Sequence, residues 1–89
     1  MQTPPTAPSA DAISTQVAAI WNDVLRVPDG APAGATFFEL GGQSISAVRI
    51  TARIEEELGV EVDMGDLFED PDLATFIRDI TARSGAGAA

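Results

Sequence analysis

Two groups of side chains in this sequence have the types and spacing that could do chemistry. One is a serine behind two glycines, Gly41-Gly42-Gln43-Ser44; the other is an acidic run, Asp63, Asp66, Glu69, Asp70 and Asp72. A serine nucleophile needs a base to take its proton, and histidine is the usual one near neutral pH. The chain has no His and no Cys, so it cannot assemble a Ser–His–Asp triad, a thiolate nucleophile, a disulfide framework or a cysteine metal site. The carboxylates could serve in principle as a general acid and base. A calcium loop, however, wants oxygen donors at its first, third and fifth positions; counted from Asp63, Gly65 and Leu67 stand third and fifth. The run therefore reads as a solvated acidic surface. Nor do the glycines open a P-loop, because no Gly-Lys-Ser/Thr follows them at the required spacing. Ser44 remains, either as a helix N-cap worth about 1 kcal/mol or as a residue on which another molecule acts.

Hydrophobic period and turn chemistry predict four helical stretches around it. From about Asp11 to Arg26, Ile13, Val17, Ile20 and Val24 form one stripe, with Trp21 and Leu25 at its edge and Gln16, Asn22 and Asp23 opposite. Residues 27–43 follow without a clear period, punctuated by Pro28, Gly30, Pro32, Gly34, Gly41 and Gly42. So long a connection in a small domain is usually functional or disordered. Phe37, Phe38 and Leu40 can pin it to the core, which favours function. A second helix is predicted over Ser44 to Leu58, ended by Gly59. A short helical turn is expected near Met64 to Phe68. The last helix is predicted to start with Asp70 as N-cap and Pro71 at its first position, to bury Leu73, Phe76, Ile77 and Ile80, and to stop at Gly85. Residues 1–9, with three prolines, read as a disordered leader, 10–83 as the folded domain and 84–89 as a flexible tail.

The second helix is apolar on two sides. Ala47, Ile50, Thr51, Ile54 and Leu58 share the face that must be the core. Ile45 points nearly opposite, with Val48 and Ala52 near it and Arg49, Arg53 and Glu56 around the edge. A branched apolar side chain turned outward beside Ser44 reads as a contact surface. Across the same side, Met64 and Phe68 are the expected apolar neighbours. Methionine suits a surface that meets several partners, because it repacks easily.

Length and charge bound the rest. Eighty-nine residues make one domain with one modest core. The net charge is −9, Arg is the only cation, and no basic stripe is present, which argues against nucleic acid and against anionic membrane surfaces. Residues 55–79 hold ten acids and one Arg, so the whole excess lies in the second half. The plainest reading of that charge is solubility; the functional one is electrostatic steering toward basic partners. The N-terminus has neither the positive start nor the apolar stretch of a signal peptide, and the longest apolar run, Val17 to Trp21, is far short of a span. A monomer in the cytoplasm is expected.

With these residues in view, a resemblance emerges. The run Phe37-Phe38-Glu39-Leu40-Gly41-Gly42-Gln43-Ser44-Ile45-Ser46-Ala47-Val48-Arg49-Ile50 resembles the core motif of peptidyl carrier domains of nonribosomal peptide synthetases, the thiolation domains of the acyl-carrier-like family. Arg53-Ile54-Glu55-Glu56-Glu57-Leu58-Gly59-Val60 and Leu67-Phe68-Glu69-Asp70-Pro71 are similar to the same family in order and spacing, and the likeness covers roughly residues 12–82. It implies an all-α, four-helix bundle with a long loop between the first two helices and a short third helix. It also implies that Ser44, flanked by Gly42 and Gln43, is the attachment point of 4′-phosphopantetheine, added from coenzyme A by a magnesium-dependent phosphopantetheinyl transferase. The arm's thiol would hold an aminoacyl or peptidyl group as a thioester, and the chain itself would not be an enzyme. Implied partners are that transferase, an adenylation enzyme, and condensation or tailoring enzymes, met through Ile45, Val48, Arg49, Met64 and Phe68.

The Gly-Gly pair and Arg49, five residues after Ser44, resemble peptidyl carriers more than fatty-acid or polyketide carriers, which often show Asp-Ser-Leu. Gln43 departs from the His or Asp frequent at its position. The opening Met and short Gly/Ala tail suit a free-standing member, with an excised domain as the alternative. An acyl or aryl carrier, or an unmodified helical adaptor in which Ser44 only caps a helix, are the competing readings.

Overall fold

A computed structural model describes residues 9–84. Four helices follow in order: α1 Ala10–Leu25, α2 Ser44–Leu58, α3 Met64–Phe68 and α4 Leu73–Ser84. The fold is the expected all-α one; α1 packs against both α2 and α4, and α3 against α2. Residues 1–8 of the expected leader and 85–89 of the expected tail lie outside the described residues, while Ser84, counted with the tail from sequence, is the last residue of α4. Ser9, counted with the leader from sequence, is the N-cap of α1: its Oγ accepts the Ala12 N–H at 3.1 Å. The helix ends where Arg26 turns left-handed (φ 52) and the Val27 N–H reaches back to Asn22 O at 3.0 Å.

The inward face of α1 is Ile13, Val17, Ile20 and Trp21, all essentially inaccessible. This shifts the stripe read from the sequence, in which Val24 was central and Trp21 marginal. Val24 is only partly buried, because the last turn of α1 runs past the core while Trp21 sits at its middle. The indole lies 5.6 Å from the Phe76 ring of α4 and 6.2 Å from Phe37 of the loop, centroid to centroid. Such tilted contacts suit aromatic quadrupoles. Each of these buried large side chains contributes roughly 1.5–3 kcal/mol by leaving water.

The bounds of α2 match the expectation. Ala47, Ile50 and Ile54 are fully buried, Thr51 and Leu58 half-buried, and Gly59 (φ 70) closes the helix with its N–H on Glu55 O at 2.9 Å. The short α3 is capped by Asp63, which accepts the Gly65 N–H at 3.0 Å, and it buries Leu67 alone.

The start of α4 is not the expected one. Asp70 is no N-cap and Pro71 lies outside the helix. The cap is Asp72, whose Oδ1 accepts the Thr75 N–H at 2.9 Å and whose carbonyl accepts the Phe76 N–H. Asp70 instead takes a positive φ of 63, and residues 70–72 run alongside the loop, with an isolated antiparallel bridge between Thr36 and Asp72. Phe76 and Ile80 carry the buried face, while Leu73 and Ile77 pack at its edge.

The loop between α1 and α2 is held by successive turns. Pro28 and Pro32 carbonyls accept the N–H groups of Ala31 and Ala35, each at 3.1 Å. A single helical turn then forms over residues 36–40. It is closed reciprocally: Thr36 N–H donates to Glu39 Oε1 (2.8 Å), and Glu39 N–H donates to Thr36 Oγ1 (3.3 Å). This is a capping box written in the sequence as Thr-x-x-Glu. Phe37 is fully buried and Leu40 packs at the core edge, but Phe38 is 48% exposed, so two of the three expected pins hold.

Candidate functional site

Ser44 is the first residue of α2, not its cap; Gln43 occupies the N-cap position with extended backbone. The Gln43 N–H donates to Ser46 Oγ at 3.3 Å, and its carbonyl accepts the Ala47 N–H at 2.9 Å. Ser46 therefore does the local capping that the sequence alone left to Ser44. The Ser44 side chain is exposed, and its hydroxyl has no hydrogen-bond partner among the described residues. Among the described residues no base stands beside it to activate the oxygen in place.

The two glycines that deliver Ser44 answer different constraints. Gly41 has φ 86, a conformation that side chains avoid. Gly42 is pressed on the Phe37 ring: a Cβ added there would lie 2.6 Å from ring carbons. Phe37 is itself locked against Trp21, so the junction is anchored directly to the core. Hydrogen bonds from Gly41 N–H to Phe38 O (3.0 Å) and from Gly42 N–H to Phe37 O (2.9 Å) complete the turn.

The electrostatics of this corner favour an anion. The first N–H groups of a helix lack intrahelical acceptors and stand at the positive end of its dipole. No acidic side chain occurs in the first turn of α2. A phosphodiester on Ser44 Oγ would meet backbone donors with no carboxylate of α2's own first turn beside it, so the residues fit a phosphopantetheine group.

Around this corner the large apolar side chains are left open. Ile45 is 55% exposed, Val48 45%, Met64 40% and Phe68 42%. The four apolar members of the expected contact set thus lie at the surface, on α2 and on α3, which packs against it. Phe38, read from the sequence as core, joins them: the turn over residues 36–40 sends Phe37 inward and leaves Phe38 48% exposed. Arg49 is exposed and lacks an ion pair among the described residues. It lines a surface groove of about 410 Å³ with Arg26 and Arg53. Arg53 is tied to Glu57 (3.0 Å) and Asp23 (2.6 Å), which raise its pKa further above the ordinary value.

The acidic run proves to be more than a solvated surface. Asp63 and Asp72 cap helices, and Asp70 accepts the Phe38 N–H at 2.8 Å. Asp66 pairs with Arg83 through both oxygens, one contact at 2.8 Å, and the guanidinium holds its carboxyl below the ordinary aspartate value. Among the described residues, Glu69 alone of this set has no such role.

Residues 15–80 match the family model described as the phosphopantetheine attachment site. The chain belongs to the phosphopantetheine-attachment family. Among curated relatives of this carrier, phosphinothricin tripeptide synthetase PhsC of Streptomyces viridochromogenes is 38% identical over 77 residues, which is 84% of the chain but 7% of the synthetase. The carrier thus spans a small fraction of that relative's length. Two solved structures share its fold. BlmI, a type-II acyl-carrier-protein from Streptomyces verticillus involved in bleomycin biosynthesis, is 33% identical with a TM-score of 0.68, over 82% of the carrier and 87% of BlmI. The peptidyl carrier protein structure with the phosphopantetheine transferase Sfp and coenzyme A is 29% identical with a TM-score of 0.69, over 89% of this chain and 100% of that one. No helix among the described residues is long and apolar enough to cross a membrane.

Proposed function

We propose that Ser44 is the attachment residue and that the chain carries aminoacyl or peptidyl groups in nonribosomal peptide-type biosynthesis in the cytoplasm. The observation that carries this reading is an exposed, unpartnered serine hydroxyl at the first position of a helix, delivered by a Gly-Gly junction anchored to the core. Bound 4′-phosphopantetheine supplies a thiol for thioester chemistry; the protein supplies the position and the surface. Gly41 and Gly42 fix the direction of the turn, Gln43 starts the helix, and the helix N-terminus receives the phosphodiester charge. The chain is not catalytic in this scheme. Its partners are a phosphopantetheinyl transferase, an adenylation enzyme, and condensation or tailoring enzymes.

Ile45 and Val48 of α2 with Met64 and Phe68 of α3 form the apolar part of the docking surface, and Arg49 sits at its edge. The charge of −9 over residues 55–79 steers partners that present basic surfaces, raising encounter rates. Coexpression with a broad-specificity transferase, followed by intact mass, tests the reading. Wild-type protein is expected to gain one phosphopantetheine and Ser44→Ala none. Because the Ser44 side chain caps nothing, Ser44→Ala is expected to keep its stability within about 0.5 kcal/mol. An unmodified wild-type protein would support a small helical adaptor instead.

A further inference from the structure

Between α3 and α4 the backbone passes through Asp70 at φ 63, a region that residues other than Gly, Asn and Asp rarely enter. From that position its Oδ1 accepts the Phe38 N–H at 2.8 Å. Two further ties cross the same gap: Phe37 N–H donates to Pro71 O at 3.0 Å, and Thr36 bridges to Asp72. The path then continues to the site. Phe38 O accepts the Gly41 N–H, Phe37 O accepts the Gly42 N–H, and the Phe37 ring lies against Gly42, two residues before Ser44.

We propose that Asp70 is a positioning residue for Ser44, a latch that holds the 36–42 turn and its Gly-Gly junction in the arrangement that a modifying enzyme must meet. The inference rests on the reading of Ser44 as the attachment residue. Position 70 makes two demands at once, tolerance of positive φ and a short side-chain acceptor. Asp and Asn meet both, Gly meets only the first, and Ala or Glu meets neither. Releasing the latch leaves the core intact, since Phe37 stays packed on Trp21 and Asp70 contributes nothing to the hydrophobic cluster. It lets the turn sample other arrangements, so only a fraction of molecules is competent at any moment. Apparent affinity falls by that fraction, while the captured complex reacts as before.

The test uses the full chain as substrate for a broad-specificity phosphopantetheinyl transferase with saturating coenzyme A. Wild type, Asp70→Gly and Asp70→Asn are compared by transfer kinetics, thermal melts and hydrogen exchange at the Phe38 amide. Asp70→Gly is expected to melt near wild type, to lose protection at Phe38, and to show KM for the carrier raised about three- to tenfold at unchanged kcat. Asp70→Asn is expected to restore both protection and KM. A wild-type KM in Asp70→Gly with a fast-exchanging Phe38 amide overturns the proposal. So does a collapsed melt in Asp70→Gly, which would make the residue structural. Wild-type protein that takes no arm at Ser44 removes the underlying reading, and the latch with it.

Discussion

Gly41 and Gly42 are neighbours with separate jobs, and the difference can be measured. Gly41 serves a dihedral, whereas Gly42 serves a contact, with an added Cβ 2.6 Å from the ring of a fully buried Phe37. Gly42→Ala forces the ring off Trp21 or the turn off its path. It is expected to destabilise by about 1–3 kcal/mol, the usual scale of overpacking, in urea denaturation; wild-type stability would show that the ring yields freely. At this scale the sequence was informative about Ser44, because the absence of His removes the usual base that would activate it. It was misleading about Asp70. Asp before Pro satisfies the rule for a helix start, and nothing local reveals that a backbone N–H 32 positions away takes that carboxylate. Phe38 was missed for a related reason: apolar character in a loop does not say which way a turn points, although the Thr36/Glu39 capping box could have revealed the turn.

At the scale of elements, the helices were largely legible and their edges less so. The bounds of α2 could be read because the 3.6-residue period and Gly59 agree. The face of α1 was displaced because period gives a direction but not where along the helix the core lies. The outward side of α2 leads to a prediction with α3. Ile45→Asp and Met64→Asp are expected to leave thermal melts close to wild type, since both side chains are already largely exposed. Each is expected to slow arm transfer or adenylation-enzyme loading severalfold, read as kcat/KM; wild-type kinetics in folded Ile45→Asp would remove this face from the docking surface.

The junctions also carry a pH dependence. Asp66 titrates below its ordinary value chiefly because Arg83 donates to it, and Asp72 chiefly because Thr75 does. Carboxyls whose pKa is lower in the folded than in the unfolded chain stabilise the fold above the unfolded value, about 4. That contribution is lost as pH falls through the lower folded value. The Tm is therefore expected to hold level down to about pH 5 and to decline in stronger acid. Asp66→Asn is expected to lower Tm at pH 7 and to flatten the acid decline. Superimposable acid limbs for the two proteins would contradict an Asp66–Arg83 contribution.

Across the whole molecule, one small core holds four helices, and polar ties hold the corner where α2 begins. Trp21, Phe37 and Phe76 link α1, the loop and α4, so the segment that presents Ser44 is packed into the same core as the helices. The acidic half, opposed by a few arginines, serves the molecule in two ways. Some of its carboxylates cap and pair within the fold, and the remaining charge faces outward. This arrangement presents the Ser44 hydroxyl, without a partner among the described residues, at a helix start and leaves apolar side chains of α2 and α3 exposed. Everything proposed for the chain depends on that hydroxyl. Its role can be read by residue-resolved mass spectrometry of the protein after incubation with coenzyme A and a phosphopantetheinyl transferase. The arm is expected on the Ser44 peptide alone. An arm on Ser14 or Ser46, or Ser44→Ala protein still modified, would show that the hydroxyl at the start of α2 is not the attachment point.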